Sequence, residues 1–425
     1  MPITPTGSFY SPPPPQAGEV IIVRLKKGKE APIRAGFPWV YRGDALESSE
    51  WLLAPAGSLV RLEDHKGVFV GIATLSPNST ITCRILTLKQ EAIDTKWFEA
   101  RISAALARRD KLFAEPFYRL IHSEADFLPG LLVDRYGEVL VVQVGTAGME
   151  ALQPLWLAAL EALLSPKAVV LKNDSGARKL EGLPLYVTLS PMGRGQGEGA
   201  NPHPAPLPER ERGLLVPLIE NNITYLADLL QGQKTGWFFD QRDNRRMMAE
   251  MAGGKTFLDV YSHSGGFGLL AAKHGANVTL VDSSKLALDL AKEAAALNGV
   301  SVDILQGDAI RVMQQLAQDG RRYDIVCADP PAYVKSKKDI ASGMKGYAKV
   351  AAHAAALTAP GGLLFVASCS HHASRGAFNN AVQEGVRKAG RSAEIVRQTG
   401  ASADHPRHPQ LPQSEYLKGL LLRLD

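Results

Sequence analysis

The apolar positions first recur in short runs with alternating polar partners. Such runs cover 20–25, 58–63, 67–73 and 79–88, and in the last of them Thr80, Thr82 and Arg84 alternate with Ile81, Cys83 and Ile85. Several short strands within about 80 residues predict a small barrel or curled sheet. From 95 to 113 the period becomes helical, with Trp97, Phe98, Ile102 and Leu106 on one stripe. A hairpin over 131–144, a helix over 152–164 and a strand over 168–171 then predict a mixed α/β unit. Its Asp134, Arg135, Asp174 and Arg178 are expected to form surface ion pairs.

After a hairpin over 218–228, buried strands alternate with helices. The stretch from Phe257 to Gly268, FLDVYSHSGGFG, ends an apolar run at a polar turn, and Gly265, Gly266 and Gly268 lead into Leu269-Leu270-Ala271-Ala272. Strand, glycine turn and helix start make a seat for a small polar ligand, because glycines admit close backbone approach and a helix N-terminus offers free N–H groups. The next strand, 277–281, ends in Asp282, where a carboxylate can take a ribose hydroxyl pair. Strands over 302–305 and 323–328 lead to Gln306-Gly307-Asp308-Ala309 and to Asp329-Pro330-Pro331-Ala332-Tyr333. A strand over 363–367 ends in Ser368-Cys369-Ser370-His371-His372, and residues 416–424 supply the last strand. Ligands of an open parallel sheet bind outside the carboxyl ends of its strands, so the glycine turn, Asp329 and Cys369 are expected to face one crevice. The pattern suits an adenosine-containing cofactor. The rigid Asp-Pro-Pro corner, for which a dehydrogenase has no need, favours S-adenosylmethionine over a nicotinamide.

Composition sets limits on this picture. The 425 residues exceed one ordinary core, so two or three domains are expected. A net charge of +5 permits a nucleic-acid partner without arguing for one. The three cysteines, Cys83, Cys327 and Cys369, are far apart and odd in number, which argues against a disulfide framework and for a reducing cytoplasm. No CxxC or HExxH occurs and no metal is expected; no apolar run is long enough to span a bilayer, so no membrane partner is expected either. The oligomeric state stays open, a homodimer included.

The boundaries fall at a Pro-rich disordered tail (1–18), a strand-rich domain (19–92), a central α/β domain (93–190), a disordered insertion dense in Gly, Pro and charge (191–214), and the alternating α/β domain (215–425). Lys27, Lys29, Arg34, Trp39 and Arg42 mix cations with aromatics. They suit an RNA surface, where cations meet phosphates and rings stack on bases, or equally a solvated Lys turn beside core aromatics. In GQKTGWFFDQRDNRR, Lys234, Asp240, Arg242 and Arg245 surround three aromatics, as a lid over the cofactor or as a salt-bridged helix start. Asp404-His405-Pro406-Arg407-His408-Pro409 reads as a rigid loop rather than a metal site.

Two resemblances sharpen the reading. LKKGKEAPIRAGFPWVYRGDAL is similar to the opening of PUA domains, small RNA-binding barrels, with Phe37 where related chains often carry His. DVYSHSGGFG, GQKTGWFFDQR, DPPAYVKSK, SCSHH and ADHPRHPQLPQSEYLKG resemble PUA-containing class I ribosomal RNA methyltransferases that make 5-methylcytosine in large-subunit RNA, over nearly the whole chain. The resemblance implies a C-terminal Rossmann-like class I methyltransferase domain beside an N-terminal PUA-like β-barrel and a small central α/β domain. It implies S-adenosylmethionine held by Asp259, Tyr261, Ser262, Gly265, Gly266, Asp282, Asp308 and Asp329. Phe267, Ser283 and Ala309 adjoin these, and Lys234, Phe238 and Gln241 complete the expected set.

Cys369 is the expected nucleophile and Asp329 its partner. Carbon 5 of cytosine is too electron-poor to attack a methyl group, whereas addition of a thiolate to carbon 6 makes carbon 5 nucleophilic. Asp329 is placed to hydrogen-bond ring N3 and the exocyclic amine as charge builds on the ring. A buried structural Cys is the alternative for Cys369, and Cys327, within a strand, is expected in the core. Another branch of RNA cytosine methyltransferases carries a second Cys where this chain has Ala332, so proton removal falls to another base: water, Asp329 or His371. The rivals are an exocyclic-amine methyltransferase, which places an aromatic immediately after the prolines, and a non-catalytic RNA-binding assembly factor. Here Ala332 intervenes before Tyr333.

Overall fold

The computed structural model describes residues 20–191, 213–232 and 235–425. The expected tail, the body of the expected insertion and Lys234 lie outside the described residues.

The first sheet has five strands: β1 (Ile22–Arg24), β2 (Trp39–Tyr41), β3 (Leu59–Glu63), β4 (Phe69–Leu75) and β5 (Ile81–Thr87), ordered β1-β3-β4-β5-β2. It curls around Val23, Leu25, Val40, Trp51, Leu62 and Val70, all buried. The β3–β4 hairpin turns where expected, because Asp64 Oδ1 accepts from the N–H groups of Lys66 (2.8 Å) and Val68 (3.0 Å) and Gly67 takes φ 83°. The Lys-rich stretch after β1 leads into a short helix, Glu30–Arg34, and the aromatics after it form β2 against β5.

The second sheet runs β10-β9-β8-β7-β6, from β6 (Phe117–His122), β7 (Leu131–Tyr136), β8 (Val139–Val144), β9 (Ala168–Asn173) and β10 (Tyr186–Pro191). Here the expected surface ion pairs are corrected. Asp134 and Arg178 have no exposed surface. Asp134 accepts from Arg119 Nε at 2.5 Å and Nη2 at 3.0 Å, while Arg178 meets Glu150 at 2.7 and 3.1 Å. Burial is tolerated because each charge is paired and hydrogen-bonded on several atoms. Both partners lie far off in sequence, where a local reading does not reach. Only Asp174 is exposed, and Arg135 is half-buried near the Tyr118 ring.

A two-stranded hairpin, β11 (Leu215–Glu220) with β12 (Ile223–Asp228), precedes the third sheet. That sheet comprises β13 (Thr256–Val260), β14 (Asn277–Asp282), β15 (Asp303–Gln306), β16 (Tyr323–Ala328), β17 (Thr358–Ser368), β18 (Ala393–Thr399) and β19 (Lys418–Leu424), ordered β15-β14-β13-β16-β17-β19-β18. β13 to β17 are parallel, and β19 is antiparallel to both neighbours. From β13 the chain moves outward to β15 and returns to β16 on the other side. Such a reversal opens a crevice at the carboxyl ends of β13 and β16, the place ligands take in doubly wound sheets. The Rossmann-like expectation holds.

The described residues fall into two compact units. One draws on 20–108, 121–133 and 142–191, the other on 109–120, 134–141, 213–232 and 235–425.

Candidate active site

The turn after β13 is held in an uncommon shape. Tyr261 (φ 63°) and His263 (φ 50°) are left-handed without being glycine, and Gly265 (φ 82°) caps the helix Gly266–Lys273. Non-glycine residues in that region persist only where the surroundings over-determine them, and they cluster at ligand sites. A Cβ on Gly268 would lie 2.3 Å from Leu280 Cδ2, so the helix packs on β14 only with glycine there.

Carboxylates from two strands hold this turn, and a third follows the next strand. Asp259 Oδ2 accepts the Gly268 N–H at 2.8 Å. Asp282, at the end of β14, accepts from His263 N (2.9 Å) and Ser284 N (2.8 Å), which leaves lone pairs for a further donor. Asp329 follows β16 and accepts from Gln241 Nε2 at 2.8 Å, and Gln241 Oε1 in turn accepts from Asn244 at 2.5 Å. The exposed Asp308 caps the helix Ala309–Gln318 through Arg311 N (3.0 Å), with Ala309 buried and Ser283 exposed. Burial pushes the Asp259 carboxyl up to about 7; the Gly268 N–H works against this, and the charges of Asp329 and Asp282 add to it.

Ser262 Oγ is buried with no hydrogen-bond partner. Buried polar atoms are nearly always satisfied, so an orphan beside crowded carboxylates fits a ligand that brings polar groups and positive charge. S-adenosylmethionine, with its sulfonium, ammonium and ribose hydroxyls, has that chemistry. The Phe267 side chain packs in the core against Phe365, ring centroids 5.7 Å apart.

Most of the WFFDQR segment is buried, and Gln241 brings it to Asp329. Trp237, Phe239, Asp240 and Gln241 are each at most 3% exposed, and Glu220 takes both Trp237 Nε1 (3.1 Å) and Arg245 Nη1 (2.5 Å). Phe238 stays half-buried, edge-on to His263 at 5.4 Å.

β17 delivers the cysteine. Ala328 pairs with Val366, so Asp329 and Cys369 leave adjacent strands at the same edge, on strands about 4.8 Å apart. Cys369 is half-buried, whereas Cys327 and Cys83 are fully buried. Burial raises the Cys327 thiol well above its ordinary value and pushes Cys83 up to about 12. Two residues that sequence reasoning passed over hold the cysteine's surroundings. The Tyr347 hydroxyl, from the helix Ile340–Leu357, accepts from Ser368 Oγ (2.8 Å), meets Ser370 Oγ (2.8 Å) and accepts the Tyr333 N–H (3.4 Å), tying the Asp-Pro-Pro loop to both neighbours of Cys369. Lys418, 2% exposed, donates to the carbonyls of Ser370 (2.7 Å) and Ala373 (2.8 Å). Burial pushes the Lys418 amine down to about 8, with the Arg375 charge adding to this and Cys369 and Glu415 opposing it. A lone Lys opening an apolar last strand was the available signal. His371 stacks on Tyr416 at 5.0 Å, and Tyr416 donates to Asp240 at 2.5 Å.

The 404–409 loop is held by protein groups: Asp404 accepts from Arg119 N (3.0 Å) and lies 2.8 Å from His405 Nδ1. Among the described residues no group of three or more His, Cys, Asp or Glu is gathered to hold a metal ion. No helix among them is long and apolar enough to cross a membrane.

In the first unit, Lys27, Lys29, Arg34 and Arg42 are exposed and Trp39 is half-buried. Lys29 pairs with Asp44 (2.7 Å), Arg34 and Arg42 donate to the carbonyls of Phe69 and Pro77, and Trp39 Nε1 donates to Glu124 (3.0 Å). Phe37, Trp39 and Tyr41 cluster with centroids 6.1 to 6.4 Å apart.

The fold and these sites define a class. Residues 23–88 match the PUA-like domain family and residues 213–423 the S-adenosylmethionine-dependent methyltransferase family, so this is an S-adenosylmethionine-dependent methyltransferase with an N-terminal PUA-like domain. Among solved structures, a protein assigned as a methyltransferase and crystallised with S-adenosylhomocysteine shares the fold at a TM-score of 0.77 and 19% identity, covering 95% of this chain and 100% of that one. A similar protein from Streptococcus mutans gives 0.75 and 19%, with the same coverage. The Shewanella amazonensis ribosomal RNA large subunit methyltransferase I is 34% identical over 416 residues, 95% of this chain and 99% of the relative. Its Klebsiella pneumoniae (strain 342) counterpart is 32% identical over 416 residues, 94% and 97% of the two chains. This chain belongs to the ribosomal RNA large subunit methyltransferase I family.

Proposed function

We propose that the protein methylates carbon 5 of a cytosine in large-subunit ribosomal RNA, with Cys369 as the nucleophile. The relatives' substrate supports the RNA, and one observation carries the chemistry: the half-buried thiol stands one residue past β17, beside the strand that Asp329 directly follows. Residues 19–92 are read as the RNA-binding domain, 93–190 as the central domain and 215–425 as the catalytic domain.

In this reading Asp259, Tyr261, Ser262, Gly265, Gly266, Asp282, Asp308 and Asp329 hold the cofactor, Phe238 and Gln241 wall it in, and the exposed Lys27, Lys29, Arg34 and Arg42 with Trp39 meet RNA phosphates and bases. The bound cofactor supplies an electrophilic methyl group. The Cys369 thiolate adds its electron pair to carbon 6 of the flipped cytosine, and the ring electrons move toward carbon 5. Asp329, held by Gln241, positions the N3 and amine edge of the ring. After carbon 5 has taken the methyl group, a base removes its proton, the ring double bond returns and the sulfur–carbon 6 bond breaks. His371, two residues from the nucleophile, is one candidate base, with Asp329 and water the others.

Nucleoside mass spectrometry of ribosomal RNA incubated with wild type and with Cys369→Ala tests this. The expected result is 5-methylcytidine with the wild type and none with the variant, while the variant still binds S-adenosylmethionine. Methylated exocyclic amine, or an active variant, refutes the thiolate route.

A further inference from the structure

The helix that braces Cys369 carries a second feature on its other side. Gly343, Tyr347, Val350, Ala351 and Ala354 face the core, whereas Lys345 and Lys349, one turn apart, are exposed on the opposite face. Lys335, and Lys337 and Lys338 in the 3-10 turn Lys337–Asp339 that leads into the helix, are exposed as well. None of the five makes an ion pair among the described residues, unlike Lys285 with Asp289; Lys345 does lie near enough to Glu384, the ion-pair partner of Lys388, to help hold that carboxyl down. From Pro330 to Gln383 the sole acidic residue is Asp339, and its carboxylate is occupied by the backbone and hydroxyl of Ser336 (2.9 and 2.8 Å). Unpaired like charges repel one another, so a row of them left together suits a polyanion.

The row begins close to the chemistry. Lys335 is six positions after Asp329, which bounds their distance at about 21 Å for an extended chain. Tyr347, on the inner face of the same helix, bonds both neighbours of Cys369.

We propose that Lys335, Lys337, Lys338, Lys345 and Lys349 form a phosphate-binding rail for the RNA strand flanking the target base, an inference that rests on ribosomal RNA as substrate. Each phosphate neutralised on a single strand releases counterions and contributes about 0.7 to the slope of log affinity against log salt.

The test measures binding of a ribosomal RNA fragment by the full chain across a salt series. The proteins are wild type, Lys335→Gln/Lys337→Gln/Lys338→Gln, Lys345→Gln/Lys349→Gln, and as control Lys255→Gln at the opposite, N-terminal end of β13. The triple variant is expected to lose about 2 from the slope, and the double about 1.4. At 0.1 M salt the triple change corresponds to roughly 100-fold weaker binding. The control stays at wild-type values, and all variants bind S-adenosylmethionine normally, which shows that they fold. If the wild type binds RNA and the lysine variants keep its slope, the rail is overturned and the substrate reading stands. If the wild type binds no RNA at low salt, the substrate reading fails and takes the rail with it. Lysine-dependent binding to anionic vesicles with unchanged RNA binding overturns it in favour of a membrane surface.

Discussion

Asp259 gives the cofactor site a pH signature. Its carboxyl moves from 3.8 to about 7 because it is buried and because Asp329 and Asp282 stand near. That displacement corresponds to about 4 kcal/mol against ionisation in the free protein. If the site takes the positively charged end of S-adenosylmethionine, binding requires the carboxylate, and apparent affinity falls with the ionised fraction. The dissociation constant then rises about tenfold from pH 8 to pH 6 and about 90-fold by pH 5. Calorimetry in two buffers of different ionisation enthalpy reads the linked proton directly. About half a proton should be released on binding at pH 7, and none by Asp259→Asn, which should bind weakly and without pH dependence over this range. The sign for folding follows the same shift. A folded pKa above the unfolded one favours the folded state at low pH, and that contribution disappears as pH rises through 7. Free Asp259→Asn should therefore resist heat better than wild type at pH 8 and not at pH 4. Affinity flat from pH 8 to pH 5, with no proton released, would refute the placement of Asp259 against a cationic ligand.

Three other outcomes follow from the cysteine's surroundings. Tyr347→Phe strips partners from Ser368, Ser370 and the Tyr333 N–H. It should cost about 2 kcal/mol of stability and reduce kcat while the Kd for cofactor stays constant, checked by calorimetry and turnover assays. Lys418→Met removes a buried amine that interacts electrostatically with Cys369. Iodoacetamide labelling of Cys369 near pH 7.5, followed by peptide mass spectrometry, should slow by about tenfold. Cys327→Ala, in a fully buried strand position, should lower the melting temperature and leave methylation in place, which a thermal scan and an activity assay together check.

The catalytic half of the fold was legible because its central strands β13, β14, β16 and β17 are largely buried on both faces and its turns carry glycine, aspartate and proline at their carboxyl ends, whereas the exposed edge strand β18 gave no such signal. FLDVYSHSGGFG became β13, the left-handed turn and the helix, and SCSHH became the end of β17. Long-range polar pairing was illegible for a plain reason. Arg119 reaches Asp134, and Tyr416 reaches Asp240 across 176 positions, and no local period encodes such a meeting. The same holds for Tyr347, whose helical stripe marks it as core while its hydroxyl serves the loop of the nucleophile. β2 was hidden because Trp39–Tyr41 is a three-residue strand among charges that suggested only a surface.

The most direct measurement of the central claim is covalent trapping on a ribosomal RNA fragment carrying 5-fluorocytidine at the target. After methyl transfer, fluorine cannot leave as a proton does, so the sulfur–carbon 6 bond should persist. The expected product is a denaturant-stable protein–RNA adduct that depends on S-adenosylmethionine, with the RNA mass on the peptide containing Cys369. Turnover of cytosine RNA without any such adduct on the fluorinated fragment, or an adduct on another residue, would contradict it.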